Sequence, residues 1–110
     1  MSVQVDDRVL ATDAEGYLAD RSDWSRAVAE VMAAADGVTL TPAHWEIIDY
    51  VREHDAEFGE PPPMRLLVKA IAARLGPEKG KSRYLYRLFP EGPAKQVCRY
   101  AGLPKPVSCI

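Results

Sequence analysis

The stretch TPAHWEIIDYVREHDAEFGEPPPMRLLVKAIAARLG, residues 41–76, decides the fold because it contains two helical segments separated by a break. Thr41 is a favourable N-cap residue and Pro42 suits the first turn of a helix. An apolar stripe follows at helical spacing, and the helix is expected to end at Gly59. The three consecutive prolines after it exclude one continuous helix, because each fixes its own φ and pushes the preceding residue toward extended geometry.

Three more helices are predicted from this break to the end of the chain. Residues 64–75 carry an apolar stripe on one face and basic residues elsewhere, which is typical of an amphipathic helix. Ser82 can cap a short helix that Pro90 terminates. Pro93 opens a last helix that ends at Gly102.

The first 40 residues predict a small hairpin and one helix. Short apolar segments at 3–5 and 9–11 flank a charged turn, as in a β-hairpin. Ser22 or Asp23 can cap a helix with apolar residues at helical spacing, and this helix is expected to stop at Gly37.

Together these elements indicate a mainly α (α+β) fold. We expect a small helical bundle with a short N-terminal β-hairpin and a helix-turn-helix-like portion around 76–82. A chain of 110 residues is expected to be one domain, 1–110. Residues 103–110 have alternating prolines and no length for another element, which predicts a flexible C-terminal arm.

Composition excludes several classes of function. With 47% hydrophobic and 27% charged residues, the chain resembles an ordinary globular protein. It has no apolar run near the roughly 18 residues of a membrane span, and its start is acidic, so we expect a cytoplasmic protein without membrane contact. Two cysteines without a CxxC or Cys/His cluster predict no metal site, and no cofactor motif is present. His44 and His54 are interpreted as surface or half-buried histidines.

Charge is divided unevenly along the sequence. Residues 1–60 hold 4 basic and 14 acidic residues, whereas residues 61–110 hold 10 basic and 2 acidic ones. One interpretation is that the two halves attract each other within the fold. The alternative is a basic face for an acidic partner or RNA, which would make the chain a nucleic-acid-binding helix-turn-helix module.

The two cysteines occupy different settings. Cys109 is the penultimate residue, and a thiol there can reach into a partner's active site, although it could also be an incidental terminal residue. Cys98 lies on the apolar stripe of the last helix, where a cysteine commonly packs as a small hydrophobe. It could instead be a resolving thiol for Cys109, because the intervening arm is long enough to fold back.

A family resemblance supports the role of the terminal thiol. The segment EKGKSRYLYRLFPEGPAKQVCRYAGLPKPVSCI at 78–110 closely resembles the DsrC/TusE family of sulfur-trafficking proteins. The resemblance covers nearly the whole chain. It includes EGYL at 15–18, HWEII at 44–48, RLLVKA at 65–70 and LPKP at 103–106.

The resemblance implies that Cys109 accepts sulfur as a persulfide, without an external cofactor. For TusE-like members it implies a carrier-type sulfurtransferase that takes sulfur from the TusBCD complex and passes it to the tRNA 2-thiouridylase MnmA. Direct contact with nucleic acid is not required for this role. The second cysteine, Cys98, is shared with DsrC proper, which implies the alternative of a sulfite reductase partner with a Cys98–Cys109 disulfide or trisulfide. The segment SRYLYRLFP at 82–90 favours the TusE-like role.

Three cations are candidates for assisting the thiol. Lys105, Arg83 and Arg99 could lower the pKa of Cys109 or guide the arm to an acidic donor, since nearby positive charge stabilises a thiolate. Their alternative role is ordinary solvated surface charge.

Overall fold

The computed structural model describes residues 1–106 of the chain. Within this range, five α-helices accompany one two-stranded antiparallel sheet, which confirms the predicted fold class. The strands are β1 (Ser2–Val5) and β2 (Arg8–Ala11). The helices are α1 (Arg26–Ala35), α2 (Pro42–Phe58), α3 (Met64–Leu75), α4 (Ser82–Leu88) and α5 (Pro93–Tyr100).

The N-terminal hairpin turns through two residues. Val5 pairs with Arg8, and Asp6 adopts a left-handed φ of 55°, which aspartate tolerates better than most residues. Val5 and Leu10 are buried, and β1 packs against α1. The hairpin is therefore part of the core.

Helix α1 begins later than the sequence predicts. Its N-cap is Ser25, whose hydroxyl accepts a hydrogen bond from the Val28 N–H at 3.3 Å. Ser22 and Asp23 instead belong to a short 3-10 turn, which Asp20 caps by accepting from the Ser22 N–H at 2.9 Å. The predicted cap was wrong because a second aspartate cap formed its own turn just upstream.

Both histidines of α2 are buried, which corrects the surface or half-buried interpretation. The Thr41 N–H donates to Nδ1 of His44 at 3.1 Å, so the ring's proton lies on Nε2, which donates to the Leu88 carbonyl at 2.9 Å. Nδ1 of His54 donates to the Glu60 carbonyl at 2.9 Å. Each imidazole thus holds together two chain segments.

Helix α5 lies at the centre of the helical part. It packs against α1, α2, α3 and α4, and most of its residues are buried. The predicted helix-turn-helix-like portion corresponds to α3, the turn 76–81 and α4. Lys81, not the predicted Ser82, is the N-cap residue of α4. None of the helices described is long and apolar enough to cross a membrane.

The two oppositely charged halves of the sequence contact each other through ion pairs. In the part of the chain that the structure describes, these are Arg74 with Glu53, Lys79 with Glu46, Arg99 with Asp36, and Lys105 with Glu15. The Arg99–Asp36 pair is half-buried, whereas the other three are exposed, and exposed pairs stabilise a fold little. They pair four of the ten basic residues of the second half with carboxylates of the first half.

Candidate functional site

The predicted thiol carrier, Cys109, lies outside the described residues, so the structure describes the base of its arm. Gly102 ends α5 with a left-handed φ of 72°, and the Leu103 N–H donates to the Cys98 carbonyl at 3.0 Å. Leu103 is only 3% exposed. The anchored part of the chain therefore includes Leu103, which was predicted to be the first residue of the flexible arm.

Lys105 is held beside the loop that follows the hairpin. Its Nζ lies 3.1 Å from the carboxylate of Glu15. One Asp13 oxygen accepts from the N–H groups of Glu15 and Tyr17 at 2.8 and 3.0 Å, so the loop has a fixed shape. Pro106 is buried. The start of the arm therefore follows a defined path toward this loop.

Cys98 is fully buried in α5. Burial, and to a smaller extent the nearby carboxylate of Asp55, raises the pKa of the Cys98 thiol from 9.0 to about 12. Tyr17 lies close by and donates its hydroxyl proton to the Lys95 carbonyl at 3.1 Å. In this conformation Cys98 packs as a neutral thiol, and its role as a resolving thiol stays a prediction.

This burial predicts slow chemical modification of Cys98. In a Cys109→Ser variant at pH 8, we expect iodoacetamide to alkylate native Cys98 roughly 1000-fold more slowly than the unfolded chain, because a pKa rise of about three units removes most of the reactive thiolate. Intact-mass spectrometry with and without urea measures both rates. Equal rates in the two states would show that α5 opens readily.

The same pKa shift predicts how stability depends on pH. The pKa of the Cys98 thiol is higher in the folded state than in the unfolded state. The protonated thiol therefore contributes fully to the free energy of unfolding below about pH 9, and this contribution is lost as the pH rises toward about 12. A Cys98→Ala variant should lose stability less steeply over this interval in urea titrations.

Arg99 takes part in a partly buried network. It forms an ion pair with Asp36, which also accepts the Tyr100 hydroxyl proton at 2.7 Å. Gln96 donates to the same hydroxyl at 2.7 Å. The stem of Arg99 lies against Gly16, where an added Cβ would be 3.2 Å from its Cδ. These contacts occupy the Arg99 guanidinium, and its role in assisting Cys109 stays a prediction.

The structure brings two of the three candidate cations together. Arg99 and Lys105 both lie near the loop at 13–17, whereas Arg83 is on the exposed face of α4. Beside this loop is a cavity of about 160 Å³, whose lining includes Glu15, Tyr17, Glu91, Lys95, Gln96 and Arg99. The cavity beside this loop is therefore lined by two cations and two carboxylates.

Sequence reasoning missed two residues at the arm base, Trp24 and Arg52. They lie 76 and 49 residues before the carbonyls they contact, at Tyr100 and Ala101. Only the fold brings such distant positions together, and no local motif marks them. Tyr17, by contrast, lies within the EGYL segment that carries part of the family resemblance.

Comparison with known proteins agrees with this architecture. A family model described as "DsrC like protein" matches residues 4–110. The chain belongs to the DsrC-like family. Sulfurtransferase TusE of Yersinia pseudotuberculosis is 55% identical over 108 residues, covering 98% of this chain and 100% of that protein.

Solved structures of the DsrC-like family have the same fold. The NMR structure of Allochromatium vinosum DsrC is 51% identical with a TM-score of 0.89, and each chain is covered completely. The oxidized gamma-subunit of the dissimilatory sulfite reductase (DsrC) from Archaeoglobus fulgidus is 39% identical with a TM-score of 0.88, again over both whole chains. The predicted resemblance is confirmed, and the relatives' names support a sulfur-transferring carrier with partners in a sulfur relay.

Proposed function

We propose that this chain carries sulfur as a persulfide on Cys109. The observation that carries the proposal is the match, over nearly the full length of both proteins, with a relative named Sulfurtransferase TusE. The chain has two cysteines, and the burial of Cys98 leaves Cys109 as the candidate for rapid exchange. We therefore assign packing to Cys98 and exchange to Cys109.

The chemistry is an exchange between a thiolate and a persulfide. The Cys109 thiolate attacks the terminal sulfur of the donor persulfide, the donor's S–S bond breaks, and the donor leaves as a thiolate. Cys109 then holds the sulfur as a persulfide until an acceptor thiolate takes it by the same reaction. The transfer leaves the overall oxidation state unchanged, so no external cofactor takes part.

The route we propose runs in the cytoplasm from a TusBCD-like donor to an MnmA-like tRNA 2-thiouridylase. The TusE name of the relative supports this pathway. The test is intact-mass spectrometry after incubation with a cysteine desulfurase, cysteine and the donor complex, where the wild type should gain about 32 Da per sulfur. Delivery is then measured as 2-thiouridine formed by the acceptor.

A wild-type protein that gains no sulfur from a competent donor would contradict the proposal. If that protein also bound RNA with an affinity falling steeply with salt, the nucleic-acid-binding alternative would replace it. The basic residues of α3 and α4 would then be its surface.

A sulfite reductase partnership is the second candidate, favoured by the two thiols and by the likeness to the Archaeoglobus fulgidus gamma-subunit. In this role Cys98 and Cys109 would form a disulfide or trisulfide. A disulfide needs Cα atoms within about 4.4–6.8 Å and access to the buried Cys98 sulfur. Mass loss of about 2 Da on mild oxidation, absent in Cys98→Ala, would support this candidate.

Reversing the charge of Lys105 is expected to slow sulfur transfer. Lys105→Glu places a second carboxylate beside Glu15 and removes a cation at the arm base, so an acidic donor is attracted less. We expect transfer about 3- to 10-fold slower at low salt, with a shallower salt dependence. Mass spectrometry of samples quenched at successive times, at several salt concentrations, measures the transfer rate and its salt dependence.

Lys81→Glu is the matched control for Lys105→Glu, because it changes the net charge equally at the exposed start of α4. It should leave the rate close to that of the wild type. Equal slowing in both variants would assign the effect to total charge, and an unchanged rate in Lys105→Glu would remove the steering role.

A further inference from the structure

Two side chains from distant parts of the fold hold the last turn of α5. The indole N–H of Trp24 donates to the Tyr100 carbonyl at 2.7 Å, and Nη1 of Arg52 donates to the Ala101 carbonyl at 2.6 Å. The guanidinium of Arg52 also lies 3.7 Å above the Trp24 ring centre. We call Trp24 and Arg52 the exit clamp.

The exit clamp covers the residue at which the chain leaves the helix. Gly102 has a φ of 72°, and a Cβ added there would lie 2.6 Å from Cγ of Trp24. Such an approach is too close for any residue with a side chain. The indole therefore fixes both the conformation and the position of this glycine.

These contacts exceed what helix termination requires. The turn is already closed by backbone bonds, because the Gly102 and Leu103 N–H groups donate to the Arg99 and Cys98 carbonyls. The two carbonyls that precede Gly102 could have been satisfied by water. Instead they accept from side chains on other elements, which ties the direction of the chain to α2 and to the segment before α1.

The exit clamp is itself firmly placed. Arg52 is half-buried, and this burial, followed by the positive charge of Arg21, lowers the pKa of its guanidinium. Asp55, one turn further along α2, is 6% exposed and pairs with Arg21. A desolvated cation on an aromatic face keeps a stable orientation.

We propose that Trp24 and Arg52 are positioning residues that set the direction in which the arm leaves the domain, and so deliver Cys109 to a partner's active site. The inference rests on the proposed carrier function. Five residues lie between Leu103 and Cys109, so a fully extended chain from Leu103 to Cys109 is roughly 20 Å long. A rotation at Gly102 would redirect residues 103–106 and disturb the Lys105–Glu15 contact, whereas a fixed exit keeps the start of the arm in one direction relative to a docked partner.

Kinetics of sulfur transfer test the proposal. Trp24→Phe keeps a ring but loses the N–H donor, and Arg52→Met keeps the stem but loses the hydrogen bond. Each should lower kcat for transfer to Cys109 about 5- to 10-fold while KM for the donor changes less than about 2-fold, because a positioning residue affects the presentation of the thiol and not the binding of the donor. Iodoacetamide should alkylate Cys109 at the wild-type rate in both. Arg52→Lys, which retains a donor, should recover part of kcat.

The fold supplies a matched control. The guanidinium of Arg26 lies 3.7 Å above the ring centre of Trp45, a similar stack that joins α1 and α2 and that, among the described contacts, makes no hydrogen bond to the Tyr100 or Ala101 carbonyl. Trp45→Phe and Arg26→Met should leave kcat unchanged. Equal loss of kcat in these controls would assign the effect to general stability and overturn the proposal.

A distance measurement separates the positioning role from the carrier function. Nitroxide labels are attached to Cys109 and to the cysteine introduced by Lys81→Cys, in a Cys98→Ala background. Electron paramagnetic resonance then gives the distribution of distances between the two labels without any sulfur donor. The width of this distance distribution should increase at least about 1.5-fold in Trp24→Phe and Arg52→Met. An unchanged distribution, or a changed one with unchanged kcat, would overturn the positioning role, whereas a wild type that accepts no sulfur would overturn the carrier function itself.

Discussion

Cys109→Ser is expected to abolish sulfur loading. The serine hydroxyl is not ionised near neutral pH and cannot form a persulfide, so the nucleophile and the carrier atom disappear together. We expect the gain of about 32 Da per sulfur to fall at least about 100-fold, below detection, when the variant is incubated with a competent donor. Formation of 2-thiouridine by the acceptor should be lost with it.

Cys98→Ala is the matched control, because it removes the other cysteine and leaves the terminal one. Alanine avoids the unpaired buried hydroxyl that serine would introduce among apolar neighbours. This variant should still load one sulfur, although with lower stability from the lost volume of a fully buried side chain. The far-ultraviolet circular dichroism of both variants should match that of the wild type.

Sulfur that still bound to Cys109→Ser would contradict the assignment. It would have to reside on Cys98, whose thiol is buried and has a pKa raised to about 12. Such a result would mean that α5 opens during transfer, which would favour the two-thiol chemistry of the DsrC-type alternative.

The elements that the sequence predicted well are those with strong local signals at both ends. Helix α2 starts at Pro42 after Thr41 and ends before Gly59, which has a left-handed φ of 79°. Proline and glycine also mark the ends of α5. Such residues restrict the backbone directly, so their effect can be recognised before the tertiary structure is known.

The errors arose where several local signals competed or where tertiary contacts decided. Asp20 accepts a hydrogen bond from the Ser22 N–H and caps a separate 3-10 turn, so the N-cap of α1 is Ser25. Several capping residues lie close together here, and the sequence alone does not show which of them caps α1. His44 is buried because its ring bridges to the Leu88 carbonyl, 44 residues away. No periodicity within α2 indicates that partner.

Some residues of the candidate site could likewise be predicted from the sequence and others could not. Cys98 was placed on an apolar stripe by spacing, and its burial agrees with the packing interpretation. Cys109 was singled out by its position in the chain, which the structure does not test. The exit clamp had no sequence signal, because Trp24 and Arg52 act on carbonyls, which every residue possesses.

Gly80→Ala is expected to cause a large loss of stability. A Cβ at Gly80 would overlap Cβ and Cα of Ala72 and would lie 2.5 Å from its backbone nitrogen. The obstructing atoms include the backbone of α3, which cannot rotate away as a side chain would. We expect the free energy of unfolding to fall by about 3 kcal/mol, the upper part of the range for overpacking. Thermal melting should shift downward by about 10–20 °C.

Two variants distinguish this steric cause from other effects of the substitution. Lys81→Ala changes the adjacent exposed residue and should stay within about 0.5 kcal/mol of the wild type. Gly37→Ala tests backbone strain alone, because Gly37 has a φ of 77° and open space around it, and should cost about 1 kcal/mol. If Gly80→Ala and Lys81→Ala had the same melting temperature, Gly80 would not be in direct contact with the backbone of α3 in solution. The expected result would instead show that this turn is a packed structural unit, which explains its glycine without any requirement for nucleic-acid binding.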